Sequence, residues 1–363
     1  MSHELNQSLR TTILGTGAHL PETIRTNSHW SPAVTERWMK GNSLRDAPLP
    51  ASASEGMRKS VAALRETGTD PFRGALERRV LEEDKLSSDM EFLAARAALE
   101  SAGISPSDVG FLLTYSMVPD FIGTTNACLL HRKLGLPTTC LTTTIEAACN
   151  AFLMQLTLAD HLIRGGGYKF GLLVQSSCGS RLLPHEDPVA PQFGDGATAV
   201  VVGPSREGFG VEAWEHRADG SRHQAIVVGV PGRRWYEGGD RLRIYVPSEA
   251  SAVRMLITIV DRASELIRDV AESHGARLED IDFYACHQAA PWLRPLTQEA
   301  SGLHRARSFD TFKMASSLSG ANIPLVLHGA AKEGTLRRGD RVMMFGGGAG
   351  ETWSALRMKW GSD

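Results

Sequence analysis

The chain has 363 residues, 42 % of them hydrophobic, which is enough for one large core or two fused ones. Its 39 basic and 41 acidic residues nearly cancel and form no long run of like charge, which argues against a broad nucleic-acid or anionic-membrane surface. The amino terminus is polar, and no stretch approaches the ~18 consecutive apolar residues of a membrane-spanning helix. A soluble, cytoplasmic protein acting on small molecules is expected.

Five cysteines are spread along the chain: Cys128, Cys140, Cys149, Cys178 and Cys286. Their odd number and the lack of a C-x-x-C pair fit neither a disulfide framework nor a zinc site. We therefore expect reduced thiols and no bound metal.

Strand-like and helix-like segments alternate along the chain. TTILGTGAHLP (11–21) predicts a strand that runs into a Gly/Pro turn. GNSLRDAPLPASASEG (41–56) has the composition of a loop, and helical periodicity resumes after it, which indicates an inserted excursion near residues 41–70. Further on, a predicted strand (109–116) lies between two predicted helices, and this alternation is typical of an α/β fold.

Two pairs of segments indicate an internal duplication. SAGISPSDVGF (101–111) and SHGARLEDIDF (273–283) share Ser, Gly, Asp and Phe at a constant offset of 172 residues. FGDGA (193–197) and FGGGA (345–349) match at an offset of 152 residues and adjoin β-rich runs. Because the two pairs occur in the same order, the chain is expected to consist of two related halves.

The duplication predicts that both halves contribute to one site. His287 follows a predicted strand whose counterpart in the first half ends near Tyr115. The counterpart of Cys149 lies in the neighbourhood of MASSLSGAN (314–322). Cys149 and His287 are therefore candidates for the same catalytic centre.

Cys149 lies between a strand-like run of Thr and Ile and a helix-forming segment, so its thiol is predicted at a strand-to-helix turn. The N–H groups and dipole of a helix amino terminus stabilise the thiolate, which is the nucleophilic form of cysteine. An ordinary buried cysteine is the alternative.

His287 follows a strand and comes before a proline, which places its imidazole at the carboxyl end of the strand, where α/β sites usually lie. A structural histidine is the alternative. The run FGGGAG (345–350) allows the backbone to approach a ligand and to donate an N–H to an oxyanion, although a tight turn explains it equally well. No Gly-Lys-Ser/Thr follows, which disfavours a phosphate loop.

Together, a thiolate, a histidine and backbone N–H donors describe acyl transfer from a thioester. The thiolate attacks the acyl carbon, the donors hold the oxyanion, and the histidine stabilises or deprotonates the second substrate. A cysteine hydrolase needs the same pair, so the residues alone do not exclude hydrolysis.

Motifs spread along nearly the whole chain resemble those of a known enzyme family. In chain order they are ILGTGAHLPE, LERRVLEED, IEAACNAF, FGDGATAVVVG, CHQAAPW, IPLVLHGAAKEGTLRRGDRV and FGGGAGETW. In this order and spacing they resemble the β-ketoacyl-acyl carrier protein synthase III enzymes of the thiolase superfamily. The resemblance implies an α/β, thiolase-like five-layer αβαβα fold with two pseudo-twofold-related halves, residues 1–205 and 206–363.

The same resemblance implies the roles of the site residues. Cys149 is the implied nucleophile, His287 the second catalytic residue, and the N–H groups of Cys149 and Gly347 the oxyanion hole. No metal or redox cofactor is implied, and the acyl donor would be acyl-CoA or an acyl carrier protein. A homodimer is implied, with a hetero-oligomer containing a related subunit as an alternative.

One departure from the family concerns the second half-reaction. Decarboxylating members have a catalytic Asn where this chain has Ser317, counted back from Ile323-Pro324. A serine hydroxyl is shorter than an amide and offers one donor, so decarboxylative fatty-acid initiation is not expected. Asn322 lies nearby but beside the proline that opens a helix, and it is not expected to substitute.

Other departures surround the nucleophile. Glu146 stands where the family has a small residue, and Thr144 replaces an Asp. Glu146 is a possible modulator of the thiol or a base, or a structural carboxylate at the helix start. Gly123 stands where alkyl-ketone-forming relatives carry a glutamate, which argues against long-chain head-to-head condensation.

The residues that bind coenzyme A cannot be placed, because the corresponding segment is altered by the excursion. Arg73, Arg78 and Arg79 are candidate phosphate contacts, with solvated surface charge as the simpler explanation of each. We therefore expect a secondary-metabolism acyltransferase that forms a C–C bond or acylates O or N. A non-catalytic partner subunit and a thioesterase are the alternatives.

Overall fold

The computed structural model describes residues 9–42, 46–205 and 208–361. Its strands are β1 (Arg10–His19), β2 (Ile24–Thr26), β3 (Glu77–Arg79), β4 (Val109–Ser116), β5 (Leu141–Thr144), β6 (Phe170–Cys178), β7 (Asp195–Ser205), β8 (Gly210–Ala218), β9 (Val227–Gly229), β10 (Arg243–Tyr245), β11 (Phe283–Cys286), β12 (Arg341–Gly348) and β13 (Thr352–Lys359). Its helices are α1 (Pro32–Lys40), α2 (Glu55–Thr67), α3 (Ser87–Ala102), α4 (Asn126–Leu134), α5 (Ala151–Arg164), α6 (Glu249–Glu272), α7 (Leu293–Ala300), α8 (Phe312–Ala315) and α9 (Asn322–Lys332). None of the helices in these described ranges is long and apolar enough to cross a membrane.

The larger of the two main sheets has five strands in the order β1-β7-β6-β4-β5. β4 runs parallel to both β5 and β6, whereas β6 with β7 and β7 with β1 are antiparallel. Almost every residue of β7 is buried, as expected for a strand that is covered on both faces.

The other main sheet has four strands in the order β11-β12-β13-β8 and repeats the same directions. β11 and β12 are parallel, whereas β12 with β13 and β13 with β8 are antiparallel. β4, β6, β7 and β1 of the first sheet thus correspond to β11, β12, β13 and β8 of the second.

Helices lie between the two sheets and on both outer faces. α5 and α9 form the middle layer, where their apolar side chains pack against both sheets; the buried residues of this core include Phe111, Phe152, Leu156, Leu173, Val200, Phe283, Val326, Leu327 and Met344. α3 and α4 cover the outer face of the first sheet, and α6 covers that of the second. The five-layer αβαβα fold implied by the resemblance is therefore confirmed.

The predicted excursion becomes an irregular segment followed by α2. Ser54 caps α2 by accepting the N–H of Met57, and its hydroxyl also donates to Asp261 of α6. Val61 and Leu64 of α2 pack against Ile257 of α6. Residues 43–45 of the excursion, and residues 206 and 207 at the expected boundary between the halves, lie outside the described part.

Candidate active site

Cys149 lies at a strand-to-helix turn, where the sequence placed it. β5 ends at Thr144, a 3₁₀ turn covers Ala148–Asn150, and α5 begins at Ala151. Ala148 has a φ of 49°, a left-handed conformation that side chains other than glycine rarely adopt. Such a conformation costs free energy and persists only where the surrounding structure holds it in place, and such conformations cluster at functional sites. Here the conformation directs the chain into α5 directly at the nucleophile candidate.

The Cys149 thiol is protonated at neutral pH. Burial raises its pKa to about 11, the Ser319 hydroxyl opposes the rise, and the carboxylate of Glu146 adds to it. The N–H of Cys149 itself also stabilises the thiolate. The helix start therefore does not supply a ready thiolate, so attack by this sulfur would require a base that accepts the thiol proton.

His287 follows β11 directly and is 4 % exposed. Its backbone N–H donates to the carbonyl of Phe345 in β12, which fixes the chain at this point. Burial lowers the pKa of the imidazole to about 4, opposed by a hydrogen bond to the backbone of Ser319. Its Nδ1 atom has no hydrogen-bond partner in the part of the chain that the structure describes. A neutral imidazole is therefore present to accept a proton.

Ser319 connects the two candidates. Its Oγ lies 3.6 Å from the Sγ of Cys149, and its backbone bonds to the imidazole of His287. It opens the 3₁₀ turn Ser319–Ala321 that precedes α9, with a φ of 51°. Sequence reasoning did not single out Ser319, although it placed the counterpart of Cys149 in this segment.

Ser317, at the position of the family Asn, makes different contacts. Its N–H donates to the carbonyl of Gln192, its carbonyl accepts the N–H of Gly194, and its Oγ accepts the N–H of Ser319 at 3.4 Å. The backbone of Ser317 is therefore bonded to the segment that contains Gln192 and Gly194. Its hydroxyl makes no hydrogen bond to Cys149 or His287.

The side chain of Asn322 bonds to the segment around Gln288 and Thr311. Its Oδ1 accepts the N–H of Gln288, the residue after His287. Gln288 in turn accepts the N–H groups of Thr311 and Phe312. Asn322 therefore fixes the segment that carries His287, which is a supporting role that the sequence did not reveal.

The glycine run lies against the nucleophile turn. A Cβ on Gly348 would lie 2.5 Å from the carbonyl oxygen of Ala147, closer than real Cβ atoms approach backbone, and 3.2 Å from the N of Asn150, which is a tight contact. Gly347, the candidate oxyanion donor, precedes it in β12 opposite Trp353. The backbones of β12 and the Cys149 turn therefore lie in close contact at Gly348, while the role of Gly347 as an oxyanion donor stays a prediction.

Glu146 is exposed at the edge of this turn. Its Oε1 accepts the N–H of Ala148 at 2.9 Å, which agrees with the structural carboxylate considered from the sequence. Desolvation by the surrounding protein raises the pKa of its carboxyl, and the Ala148 N–H opposes the rise. The charge of Glu146 also raises the pKa of the Cys149 thiol, so both interpretations of this residue have a physical basis.

The arginines considered as phosphate contacts differ from one another. Arg78 is 1 % exposed; its guanidinium donates to the carbonyls of Pro191 and Arg25 and to the Oδ1 of Asn27. Burial lowers its pKa to about 10. Surface charge is therefore the wrong interpretation of Arg78, because its donors are used inside the protein.

The other two arginines are in different surroundings. The guanidinium of Arg79 donates to the carbonyl of Pro21, and burial lowers the pKa of Arg73.

Known proteins resemble this chain over most of its length. The family model described as 3-oxoacyl-(acyl-carrier-protein) synthase III matches residues 144–220, and the model of the synthase III C terminal matches residues 271–360. The β-ketoacyl-(acyl-carrier-protein) synthase III of Clostridium perfringens is 30 % identical over 290 residues, which cover 79 % of this chain and 89 % of the relative. That of Thiobacillus denitrificans is 29 % identical over 352 residues and covers 96 % of this chain and 98 % of the relative.

A solved structure extends the likeness to the fold. The crystal structure of 3-oxoacyl-(acyl-carrier-protein) synthase III from Aquifex aeolicus VF5 superimposes with a TM-score of 0.77 at 26 % identity, covering 96 % of this chain and 100 % of that one. Identity, coverage and fold agree with the motifs that surround Cys149 and His287. This chain belongs to the β-ketoacyl-(acyl-carrier-protein) synthase III family of the thiolase superfamily.

Proposed function

We propose that this protein is an acyltransferase of the synthase III type. It takes an acyl group from a coenzyme A or carrier-protein thioester onto Cys149 and passes the group to a second substrate in secondary metabolism. The observation that carries the proposal is the position of the Cys149 sulfur, in a strained turn at the start of α5 and beside Ser319, which also bonds to the buried imidazole of His287.

In the first half-reaction a proton moves as a bond forms. Both groups are neutral at pH 7, because burial raises the pKa of Cys149 to about 11 and lowers that of His287 to about 4. As the sulfur bonds to the acyl carbon, the thiol proton passes to the imidazole and the carbonyl oxygen becomes an oxyanion. The oxyanion then collapses, the donor thiolate leaves, and it takes the proton from the imidazolium. The N–H groups of Cys149 and Gly347 hold the oxyanion.

The second half-reaction is the one in which this protein departs from its decarboxylating relatives. Ser317 stands at the family's Asn position and its hydroxyl is bonded to the N–H of Ser319. Position 317 therefore supplies no amide group that could join His287 in holding a decarboxylation enolate. Condensation without strict malonyl decarboxylation, or acylation of an oxygen or nitrogen nucleophile, fits this site best.

Two alternatives make different predictions. A non-catalytic subunit of a hetero-oligomeric synthase would not need the close approach of Gly348 to the Cys149 turn, nor a hydroxyl beside the sulfur. A thioesterase would use the same acyl-enzyme but release it to water. Retention of the complete nucleophile environment favours transfer over the first alternative, and the likeness to synthases along the chain favours it over the second.

The test is to incubate the protein with a panel of acyl-CoA and acyl-carrier thioesters and to locate the added acyl mass by peptide mass spectrometry. We expect acylation on the peptide that carries Cys149, and none in the Cys149→Ala variant. Absence of acylation by every donor would overturn the enzymatic proposal. Rapid release of free acid without a second substrate would identify a thioesterase, whereas a stable acyl-enzyme that is discharged by an added nucleophile supports transfer.

A further inference from the structure

A chain of two hydroxyl groups leads from the first half of the protein to the Cys149 sulfur. The phenol oxygen of Tyr115, at the end of β4, lies 2.9 Å from the Oγ of Ser319, which lies 3.6 Å from the Sγ of Cys149. Tyr115 is 3 % exposed and Ser319 is 2 % exposed, so neither hydroxyl exchanges its partner freely with water.

The direction of these hydrogen bonds follows from the number of protons. Within the described residues the Tyr115 hydroxyl has one partner, Ser319. If Ser319 donated to Tyr115, the phenol proton would be buried without an acceptor, at a cost of about 1–3 kcal/mol. Tyr115 therefore donates to Ser319. Burial also raises the pKa of the Tyr115 phenol well above its ordinary value, so the phenol keeps its proton. The single proton of Ser319 is then directed to the sulfur of Cys149.

Packing holds this arrangement in place. A Cβ on Gly320 would lie 2.8 Å from the Tyr115 ring and 3.1 Å from the carbonyl oxygen of Ala148, so the ring, the serine turn and the nucleophile turn are in direct contact. The Ser319 N–H donates to the Oγ of Ser317, which fixes the backbone from which the Ser319 hydroxyl projects. Ser317 thus acts on the site through Ser319.

We infer that Ser319 is a catalytic residue of this protein, donating a hydrogen bond to the Cys149 sulfur as it becomes charged, and that Tyr115 is a positioning residue that fixes this donor. The inference deepens the proposed acyl transfer and rests on it for its functional meaning. The Ser319 proton stays on its oxygen throughout; the thiol proton passes to His287 as the sulfur bonds to the acyl carbon. The hydroxyl lowers the cost of charge on a sulfur that is otherwise buried.

The test measures the Cys149 thiolate without any acyl donor. Iodoacetamide alkylates the thiolate, forming an S–C bond as iodide leaves, and the rate is followed on the Cys149 peptide by mass spectrometry from pH 6 to 10. Ser319→Ala removes the donor, and Tyr115→Phe keeps the ring but removes the hydroxyl. Ser316→Ala is the matched control, because Ser316 is also buried, has a φ of 54°, and donates to the carbonyl of Pro191 instead of the sulfur.

At pH 8 we expect Ser319→Ala to alkylate about tenfold more slowly and Tyr115→Phe about threefold more slowly than the parent, each with its pH curve moved to higher pH. A Ser319→Ala curve that coincides with the Ser316→Ala curve overturns the inference. A Tyr115→Phe curve that coincides with the parent curve overturns the role of Tyr115. The Tyr115→Phe variant still tests the inference if the Ser319→Ala variant does not fold. Failure of every thioester to acylate the protein would overturn the proposed function and leave these curves unchanged.

Discussion

The turn that precedes α5 and the turn that precedes α9 have the same plan but carry different chemistry. Each is a 3₁₀ turn that enters a buried apolar helix of the middle layer. The 172-residue offset of the duplication aligns Asn150 with Asn322, and it aligns Tyr115 with His287 at the ends of equivalent strands. Yet the first turn carries the proposed nucleophile Cys149, and the second carries the Ser319 hydroxyl that contacts its sulfur. The two halves thus share equivalent backbones, and under the proposed mechanism the side chains at matching positions take different roles in one reaction.

The largest expected effect on acyl transfer is that of replacing His287, with Ser317 as the comparison. His287→Ala is expected to reduce acyl transfer about 10³-fold, because it removes the proton acceptor for a thiol whose pKa is about 11. Ser317→Ala is expected to reduce it less than tenfold, because the Ser317 hydroxyl serves the backbone of Ser319. Single-turnover transfer to the second substrate measures both. Equal losses would mean that Ser317 had inherited the role of the family Asn.

The glycine run tests whether the nucleophile turn depends on close backbone contact. Gly348→Ala places a Cβ 2.5 Å from the carbonyl oxygen of Ala147, so the turn must move. We expect acyl loading of Cys149 to fall about 10²-fold, since small displacements of a nucleophile have effects of this size. Gly167→Ala is the control, because nothing lies within 4 Å of a Cβ there. Normal loading by Gly348→Ala would exclude the glycine run from the site.

Replacing Asn150 and Asn322 compares how much each turn contributes to the free energy of unfolding. Asn322→Ala leaves the buried N–H of Gln288 without an acceptor, and Asn150→Ala removes a donor to the Ser354 hydroxyl at 2.7 Å. Urea unfolding is expected to show a loss of about 2 kcal/mol for Asn322→Ala and about 1 kcal/mol for Asn150→Ala. The reverse order would show that the first turn depends more on its asparagine than the second.

The smallest expected effect concerns Glu146. Glu146→Gln keeps an oxygen for the Ala148 N–H and removes a charge that raises the pKa of Cys149. The thiol pKa should fall, so alkylation of Cys149 at pH 8 should become about two- to threefold faster, a modest change because Glu146 is exposed. Glu100→Gln on the surface of α3 is the control. Slower alkylation would indicate that Glu146 assists the thiol as a base.

The sequence by itself predicted the α/β class and placed Cys149 at a strand-to-helix turn and His287 at the end of a strand, whereas the five-layer fold was implied by the family resemblance. Alternating strand and helix periods indicate the α/β class, because each period fixes which face of an element is apolar. A residue directly after a strand or before a helix also has a predictable place, since sites of α/β proteins usually lie at the carboxyl ends of strands.

Only the tertiary structure decided which serine contacts the sulfur. Ser317 and Ser319 are two residues apart, and the left-handed φ of 51° at Ser319, which spacing does not report, helps to set the direction of its side chain. The same holds for Tyr115, which reaches Ser319 across more than 200 residues of chain. Burial also decided the state of the groups, since the sequence predicted a stabilised thiolate whereas desolvation raises the Cys149 pKa to about 11. Side-chain direction and solvent exclusion depend on neighbours that are distant in sequence, and these features therefore required the folded chain.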